Sequence, residues 1–330
     1  MNSENSSSLD NKPMVRDSVN VLDIFVAALL LASLIAAMFL RLTDPGQTIG
    51  LALALAAAAI APPLVLTLIE QFAPTAGARK SPKVWWLHIQ IMLANYAAAV
   101  PLAILAAYIT KLMVAGLGLE LGLFDLTFIT DASLLSLIGA SIVGLLCTDF
   151  FFYWYHRAAH KSNILWQHHK MHHLDPEFDA LTGPRQNWLE SFFSMLFIFI
   201  PVQILFQLDN VDPFSLGLTQ GLILGSIQAI VFINHSNLRI QFGRFSCLFT
   251  SSQMHRIHHS YAPEHLDKNF VAFFPVWDIL FGTYYQPKPD EFPPTGVPDE
   301  REISSVWEVQ YYALREWWKL FRSKSTTNGE

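Results

Sequence analysis

The sequence predicts an all-α integral membrane protein, a helical bundle that carries a group of histidines at one membrane face. Composition is the first reason, since 52% of the 330 residues are hydrophobic and only 15% are charged, which is unusual for a soluble domain. The second reason is the recurrence of apolar runs of about 20 residues, the length that crosses the hydrocarbon core as a helix. The third is that half of the twelve histidines fall between residues 149 and 173.

Six apolar segments are predicted to cross the membrane, after a polar tail. Residues 1–20 are rich in Ser and Asn and lack the basic start of a signal peptide, so we expect a disordered N-terminal tail. Prolines and one lysine interrupt the second and third segments, which membrane helices tolerate where neighbouring helices satisfy the freed backbone groups. The predicted spans are 21–40, 48–69, 89–117, 134–155, 189–208 and 216–233.

The distribution of basic residues predicts the orientation of these spans. With the N-terminus in the cytoplasm, every Lys and Arg among the 21 except Arg41 and Lys111 falls in a cytoplasmic segment. Cytoplasmic loops of membrane proteins carry an excess of Lys and Arg. The expected protein is therefore multi-pass, with both termini and all histidine clusters on the cytoplasmic side. A formal net charge of -6 without a basic block argues against nucleic acid as a partner.

Three histidine clusters show the spacing of metal ligands on a helix. His156 and His160 are four residues apart, and the pattern H-x-x-H-H occurs twice further along the chain. Residues three and four apart share one helix face, so each cluster presents its imidazoles together. Eight or nine imidazoles are too many for one ion and predict a di-metal site, and imidazole suits zinc, copper, iron and nickel. The two copies of the pattern are His169, His172 and His173, and then His255, His258 and His259.

Five segments together resemble the fatty acid hydroxylase/sterol desaturase superfamily of membrane enzymes. The resemblance covers residues 135–285 and depends on the order and spacing of the segments. It implies that the clustered histidines, and His235 with them, hold a non-haem di-iron centre. The segments are HRAAH (156–160), HHKMHH (168–173), NHSNL (234–238), HRIHHSYAPEHLDKNF (255–270) and WDILFGT (277–283).

The resemblance implies an oxidoreductase that acts on lipids. Two ferrous ions would activate O2, and the enzyme would hydroxylate or desaturate a C–H bond of a sterol, a terpenoid or a fatty acyl chain. Electrons are expected from a separate reductase, ferredoxin or cytochrome, since the chain has no Gly-rich dinucleotide motif and only two cysteines. Imidazole ligands do not by themselves select iron, so a di-zinc membrane hydrolase or a metal transporter is the alternative.

Several polar residues are predicted to act beside the metal ligands. A metal-bound imidazole usually donates its second N–H to a carboxylate or a carbonyl. Asp149 lies within an apolar span, where a carboxylate is costly, so we expect it to accept such an N–H from another segment. His168 is expected at the surface, and His88 belongs to no cluster. The other candidates are Asp267, Asn269 and Asp278, and Asn187, which stands where many family members have histidine.

These predictions divide the chain into four parts. Residues 1–20 form the tail, 21–134 the N-terminal transmembrane helices, 135–285 the catalytic domain and 286–330 a C-terminal tail with an amphipathic helix. That helix is expected either to lie on the membrane surface or to pack against the catalytic domain, and the pattern does not distinguish the two. Its apolar residues at helical spacing are Trp307, Val309, Tyr311, Leu314, Trp317, Trp318 and Phe321.

Overall fold

The computed structural model is helical, which confirms the all-α prediction for the part of the chain that it describes. Described are residues 65–70, 72, 80–118, 122–125, 133–207, 213–298, 300 and 303–327. The helices are α1 (Pro82–Gly116), α2 (Leu134–Lys161), α3 (Asn163–His173), α4 (Trp188–Leu205), α5 (Pro213–Asn234), α6 (Ser252–His258), α7 (Val276–Leu280) and α8 (Val306–Thr327). Two strands of two residues each, β1 (Phe124–Asp125) and β2 (Phe206–Gln207), pair in parallel.

Several helices begin at a polar cap, because the first N–H groups of a helix have no partner within it. Ser81, Ser133 and Ser162 each accept a hydrogen bond from the backbone N–H three residues on, at the starts of α1, α2 and α3. Asn187 caps α4 in the same way. Ser and Asn are favoured at this position, so the sequence fixes these helix starts locally.

Among the described residues, two helices are long and apolar enough to cross a membrane, namely Leu135–Lys161 in α2 and Trp188–Leu205, which is α4. Only 28% and 12% of their apolar windows are buried in the protein, whereas the core helix of a soluble protein is mostly buried. Two shorter apolar helical segments, Pro101–Gly116 and Gly221–Asn234, are parts of α1 and α5. The first predicted span and most of the second lie outside the described residues, so the count of six spans stays a prediction.

The bundle brings one end of each long helix to the histidines. α1 packs against α4, and α2 packs against α4, α5 and the short helix α3. The C-terminal ends of α2 and α5 and the N-terminal ends of α1 and α4 meet at this end of the bundle, where α3 and α6 carry most of the histidines. The site therefore lies at one end of the apolar bundle.

The C-terminal helix α8 packs by one face and exposes the other. Val309, Tyr312 and Ala313 are buried, and the helix contacts α3, α1 and α4. Packing against the rest of the protein is therefore observed for one face only. The opposite face forms an apolar stripe, called here the α8 stripe, whose side chains are between 41% and 72% exposed: Trp307, Tyr311, Leu314, Trp318 and Phe321.

Candidate metal centre

Nine histidines form two adjacent groups, each with enough ligand atoms for a metal ion. Within each group the ligand atoms lie within 4.8 Å of one another. Every histidine that was predicted to be a metal ligand belongs to one of these groups. Its role as a ligand stays a prediction. The five-histidine site contains His156, His160, His169, His173 and His258, and the four-histidine site contains His172, His235, His255 and His259.

The position of each histidine around its helix decides to which of the two sites it belongs. In α3, His169 and His173 are four residues apart and face the five-histidine site, whereas His172 faces the other. The third cluster divides in the opposite sense. There His255 and His259 belong to the four-histidine site and His258 to the five-histidine site, so each H-x-x-H-H segment bridges both sites.

Two nitrogens that face the centre of the five-histidine site are bare when their imidazoles are neutral. Nδ1 of His156 donates to the Phe270 carbonyl at 2.6 Å, and Nδ1 of His169 donates to the Glu190 carboxylate at 3.0 Å. In a neutral imidazole, a hydrogen on Nδ1 leaves Nε2 as a bare acceptor. The two bare Nε2 atoms lie 3.0 Å apart, a repulsive arrangement that a cation between them would relieve.

Other ring nitrogens converge in the same way. His173 Nε2 lies 3.0 Å from His169 Nε2, and the Nε2 atoms of His160 and His258 are buried with no hydrogen-bond partner in the described part of the chain. The donor set therefore fits two metal ions, one at each site. In the four-histidine site, successive Nε2 atoms lie between 2.9 and 3.2 Å apart in the order His172, His235, His255 and His259.

Burial favours the neutral imidazole at several of these histidines, and that is the form that binds a metal. Desolvation lowers the pKa of His235 to about 4 and that of His258 to about 3. It also lowers the pKa of His172, His173 and His259 well below the ordinary value, and repulsion from neighbouring imidazoles adds to the effect.

The segment that contains all nine histidines matches a known family. The family model described as fatty acid hydroxylase covers residues 141–283. Residues 141–283 are called here the fatty acid hydroxylase domain, after the family model that they match. This fatty acid hydroxylase domain runs from within α2 to just beyond α7, and it leaves out all of α1 and all of α8.

Relatives of the fatty acid hydroxylase domain are named as lipid-modifying enzymes. An alkylglycerol monooxygenase of Danio rerio is 27% identical over 179 residues, which is 54% of this chain and 37% of the relative. Another, of Caenorhabditis elegans, is 29% identical over 180 residues, 54% of this chain and 33% of the relative. An ornithine lipid hydroxylase of Rhizobium tropici is 26% identical over 147 residues, 44% of this chain and 42% of the relative. The chain spans less than half the length of these relatives, and no solved structure matches it.

Within the fatty acid hydroxylase domain, a loop after the third cluster orients two histidines of the five-histidine site. The Lys268 carbonyl accepts from His258 Nδ1 at 2.8 Å, and the Phe270 carbonyl accepts from His156 Nδ1. Asn269 lies between these carbonyls in the left-handed region, with φ 53°, which asparagine tolerates better than most residues. Its buried side chain bonds backbone groups of two other segments. Asn269 therefore fixes the turn whose carbonyls hold both imidazoles.

Two carboxylates accept hydrogen bonds from the next backbone N–H groups of this loop. The expectation that Asp149 bonds a histidine N–H is wrong, because its carboxylate, 4% exposed, accepts three backbone N–H groups at distances between 2.7 and 3.0 Å. Such donors stabilise a buried carboxylate without help from a metal ligand. Asp149 thus bonds the loop and not a histidine. Asp278 accepts from the N–H groups of Phe270 and Val271, and Asp149 from those of Ala272, Phe273 and Phe274.

Asp267 lies at the start of the loop and faces solvent. It also has a left-handed backbone, with φ 60°, and its carboxylate pairs with Lys161. The Asp267 and Lys161 side chains are 40% and 58% exposed, and exposed pairs of this kind contribute little stability. The structure places Asp267 at the rim of the protein, outside both histidine groups.

The carboxylate that does bond site histidines is Glu190, which was not among the predicted residues. It accepts from His169 Nδ1 at 3.0 Å and from His168 Nδ1. His168 is fully buried, so the expectation that it lies at the surface is wrong. Asn187 caps α4 and donates to the His168 carbonyl, which joins α3 to α4. The available signal was a glutamate in the first turn of an apolar span, where ionisable groups are costly.

The ring of Phe178 and the backbone at Gly183 lie close to the four-histidine site. Phe178 is 2% exposed, and its ring centroid lies 5.4 Å from that of His235 and 4.8 Å from that of His259. His235 Nδ1 donates to the Val231 carbonyl at 2.7 Å. At Gly183 an added Cβ would lie 3.2 Å from this Nδ1, so the close approach favours glycine there.

His88 lies in a buried polar cluster beside the start of α1, so the expectation that it belongs to no cluster is wrong. It is 2% exposed, and its Nδ1 lies 3.0 Å from Lys80 Nζ and 3.7 Å from Asp175 Oδ2. Sequence spacing could not show this, because the partners come from the segment after the second histidine cluster. His88 is consequently unsuitable as a neutral control for mutagenesis.

Proposed function

We propose that this protein is a membrane-bound, O2-dependent lipid hydroxylase with two non-haem iron ions. The observation that carries the proposal is the convergence of nine imidazoles on two centres, with bare Nε2 atoms 3.0 Å apart. The five-histidine site would hold one iron and the four-histidine site the other. When bound, the irons would reduce O2 and supply the oxidant that takes hydrogen from a lipid C–H bond and leaves a hydroxyl group or, in the alternative outcome, a double bond.

The nitrogen–nitrogen distances favour this centre over tetrahedral zinc. With metal–nitrogen bonds of about 2.1 Å, ligands at right angles lie about 3.0 Å apart and ligands at tetrahedral angles about 3.4 Å apart. The separations of 2.9 to 3.2 Å lie on average closer to the first value than to the second. Five imidazoles also exceed the four positions of a structural zinc site. A di-zinc hydrolase would need a carboxylate base at the metal, and neither group contains one among the described residues.

The protein's own groups keep the imidazoles oriented and the site dry. Three backbone carbonyls and the Glu190 carboxylate fix the hydrogen on Nδ1 of the histidines that they bond. Phe270 and Trp166 pack beside His160, with ring centroids 5.2 and 5.1 Å away, and Phe178 covers the other site. Excluding water in this way protects a reactive oxidant from side reactions.

A lipid substrate is supported by the names of the relatives. One is named for alkylglycerols and another for ornithine lipids. A site at the end of an apolar bundle fits this substrate class better than a small soluble metabolite. Each turnover would draw electrons from a separate donor, which we propose to be a reductase, a ferredoxin or a cytochrome.

We place the enzyme in the membrane through α2 and α4, with α8 at the membrane surface. The α8 stripe is rich in Trp and Tyr, which concentrate at membrane–water interfaces. Arg315 and Lys319 pair with Glu308 and Glu316 on the same helix. The helix still carries four basic residues against two acidic ones, so its net positive charge suits an anionic leaflet. Together with the distribution of basic residues, this favours the cytoplasmic side for α8, both termini and the histidine sites.

The proposal is tested by reconstitution of the purified protein with ferrous iron, a reductant and isotopically labelled O2. Lipid extracts of cells with and without the protein supply the candidate substrates. We expect the label in a new hydroxyl group of one lipid class, and loss of product when iron is withheld. Label derived from water, or turnover with zinc in place of iron, would contradict the proposed function.

A further inference from the structure

Lys80 is a buried lysine just before α1 whose ammonium group is surrounded by partners. The residue is 8% exposed, and Nζ donates to Asp179 at 2.7 Å and to Asp175 at 2.8 Å, with His88 Nδ1 at 3.0 Å. Burial opposes the charged form, but the two carboxylates outweigh it and raise the pKa of Lys80 above its ordinary value. Lysine is rarely buried unless it is paired in this way.

The three partners of Lys80 have the spacing of a metal site. His88, Asp175 and Asp179 offer ligand atoms within 4.8 Å of one another. Nζ of Lys80 is within hydrogen-bond distance of all three, so a metal ion would have to displace a buried ammonium group. The cluster thus already contains a cation, and this cation is tethered to the start of α1.

The ammonium group ties α1 to the turn that follows the second histidine cluster. Asp175 and Asp179 lie at the two sides of this turn, and Thr182 closes it by donating to Asp175 at 2.5 Å and accepting the Asp179 N–H at 3.1 Å. Glu70, 5% exposed, accepts the Ala180 N–H at 3.1 Å and adds a further anchor. These bonds fix the backbone on both sides of residue 178.

Phe178 connects this turn to the four-histidine site. Its ring lies against His235 and His259, as described above. Packing matters more here than at the five-histidine site, because most of these imidazoles lack an outer hydrogen bond. The Nδ1 atoms without a partner among the described residues are those of His172, His255 and His259.

We propose that Lys80 is a positioning residue for the four-histidine site, acting through the turn 175–182 and Phe178 on His235 and His259. The inference rests on the proposed metal function and gives a role to a residue outside the matched segment 141–283. Removing the ammonium group frees Asp175 and Asp179 from α1, so Phe178 loses its fixed position. The five-histidine site is held by Glu190 and the loop carbonyls and does not depend on this turn.

The test is an anaerobic cobalt(II) titration of the full-length protein in detergent, followed by visible absorbance and equilibrium dialysis. Wild-type protein is expected to bind one ion at each site. Lys80→Met and Phe178→Ala should each bind the first ion normally and the second about 10–100-fold more weakly, the range for groups that orient metal ligands. Lys83→Met, a change of an exposed lysine in the first turn of α1, should match the wild type.

A charge-balanced variant covers the case in which Lys80→Met does not fold. Lys80→Met/Asp179→Asn leaves fewer buried charges without a partner while the link to α1 stays broken, so its second ion should still bind weakly. The inference is overturned if the folded double variant or Phe178→Ala binds both ions as tightly as the wild type. It is also overturned if the affinities for the two ions fall equally. A wild-type protein that binds fewer than two ions overturns the proposed function itself, and this inference with it.

Discussion

The two histidine sites differ in what holds the far side of each imidazole. In the five-histidine site, His156 and His258 donate to backbone carbonyls and His169 donates to the Glu190 carboxylate. In the four-histidine site, His235 donates to a carbonyl, whereas three other Nδ1 atoms are buried without a partner in the described part of the chain. Such outer bonds fix the tautomer and raise the basicity of a ligand. Two sites with similar ligands are therefore expected to hold metal unequally, the five-histidine site more tightly.

The largest effects should come from removing one ligand at each site. His172→Ala should release the ion of the four-histidine site and keep the other, whereas His258→Ala should weaken the ion of the five-histidine site. Both variants should lose hydroxylation, because the proposed chemistry needs two irons. Bound metal per chain and labelled product are the measurements, with Lys83→Ala as control. A variant that kept both ions and full turnover would remove that histidine from the ligand set.

The sequence predicted the pairing within clusters better than the division between sites. Residues four apart share a site in all three clusters, as helical spacing requires. The separation of His172 from His169 and His173 could not be predicted, because it depends on which neighbouring segment each helix face meets. The partners of Asp149 and Lys80 lie far along the chain, and Glu190 was hidden in an apolar span.

The predicted spans 134–155 and 189–208 correspond to the helices α2 and α4, with small differences at their ends. The run 134–155 begins with α2, but the helix continues to Lys161 and so carries His156 and His160 beyond the apolar part. Backbone hydrogen bonding does not stop where side chains become polar, so the helix is longer than the apolar run that predicts the span. The run 189–208 lies close to α4, which begins at its Asn187 cap.

Glu190→Gln should weaken metal binding at the five-histidine site only. The change removes the charge that His169 and His168 bond, and a neutral amide cannot accept both N–H groups equally well. We expect metal affinity at the five-histidine site to fall about 10-fold or more while the four-histidine site is unchanged. Glu264→Gln, at an exposed position, is the control for the cobalt titration. Equal losses at both sites would argue for a general effect on folding.

Asp149→Asn should have a similar but smaller effect, since it acts through the loop. The amide group places a donor where three backbone N–H groups converge, so the loop that bonds His156 should loosen. Affinity at the five-histidine site should fall toward the lower end of about 10–100-fold. Asp290→Asn, at an exposed position, should have no effect. Unchanged metal content and turnover in Asp149→Asn would show that the loop does not set ligand geometry.

Mild acid should destabilise the metal-free protein through histidines of both sites. Burial lowers the folded-state pKa of His235 to about 4 and of His258 to about 3, below the value of about 6.5 in the unfolded chain. The unfolded chain therefore binds more protons as the pH falls below about 6.5, and stability is lost progressively down to about pH 3. The Tm of metal-free protein should fall between pH 7 and pH 5. A Tm that rose on acidification would contradict burial of neutral imidazoles.

Mössbauer spectroscopy of protein loaded anaerobically with isotopically enriched ferrous iron tests the central claim most directly. We predict two irons per chain in two distinct environments of equal amount, and a chelator should remove the signal of the four-histidine site first. Glu190→Gln should alter only the other signal. A single iron environment, loss of both signals together, or zinc at both sites with no iron after anaerobic loading would contradict two unequal iron sites.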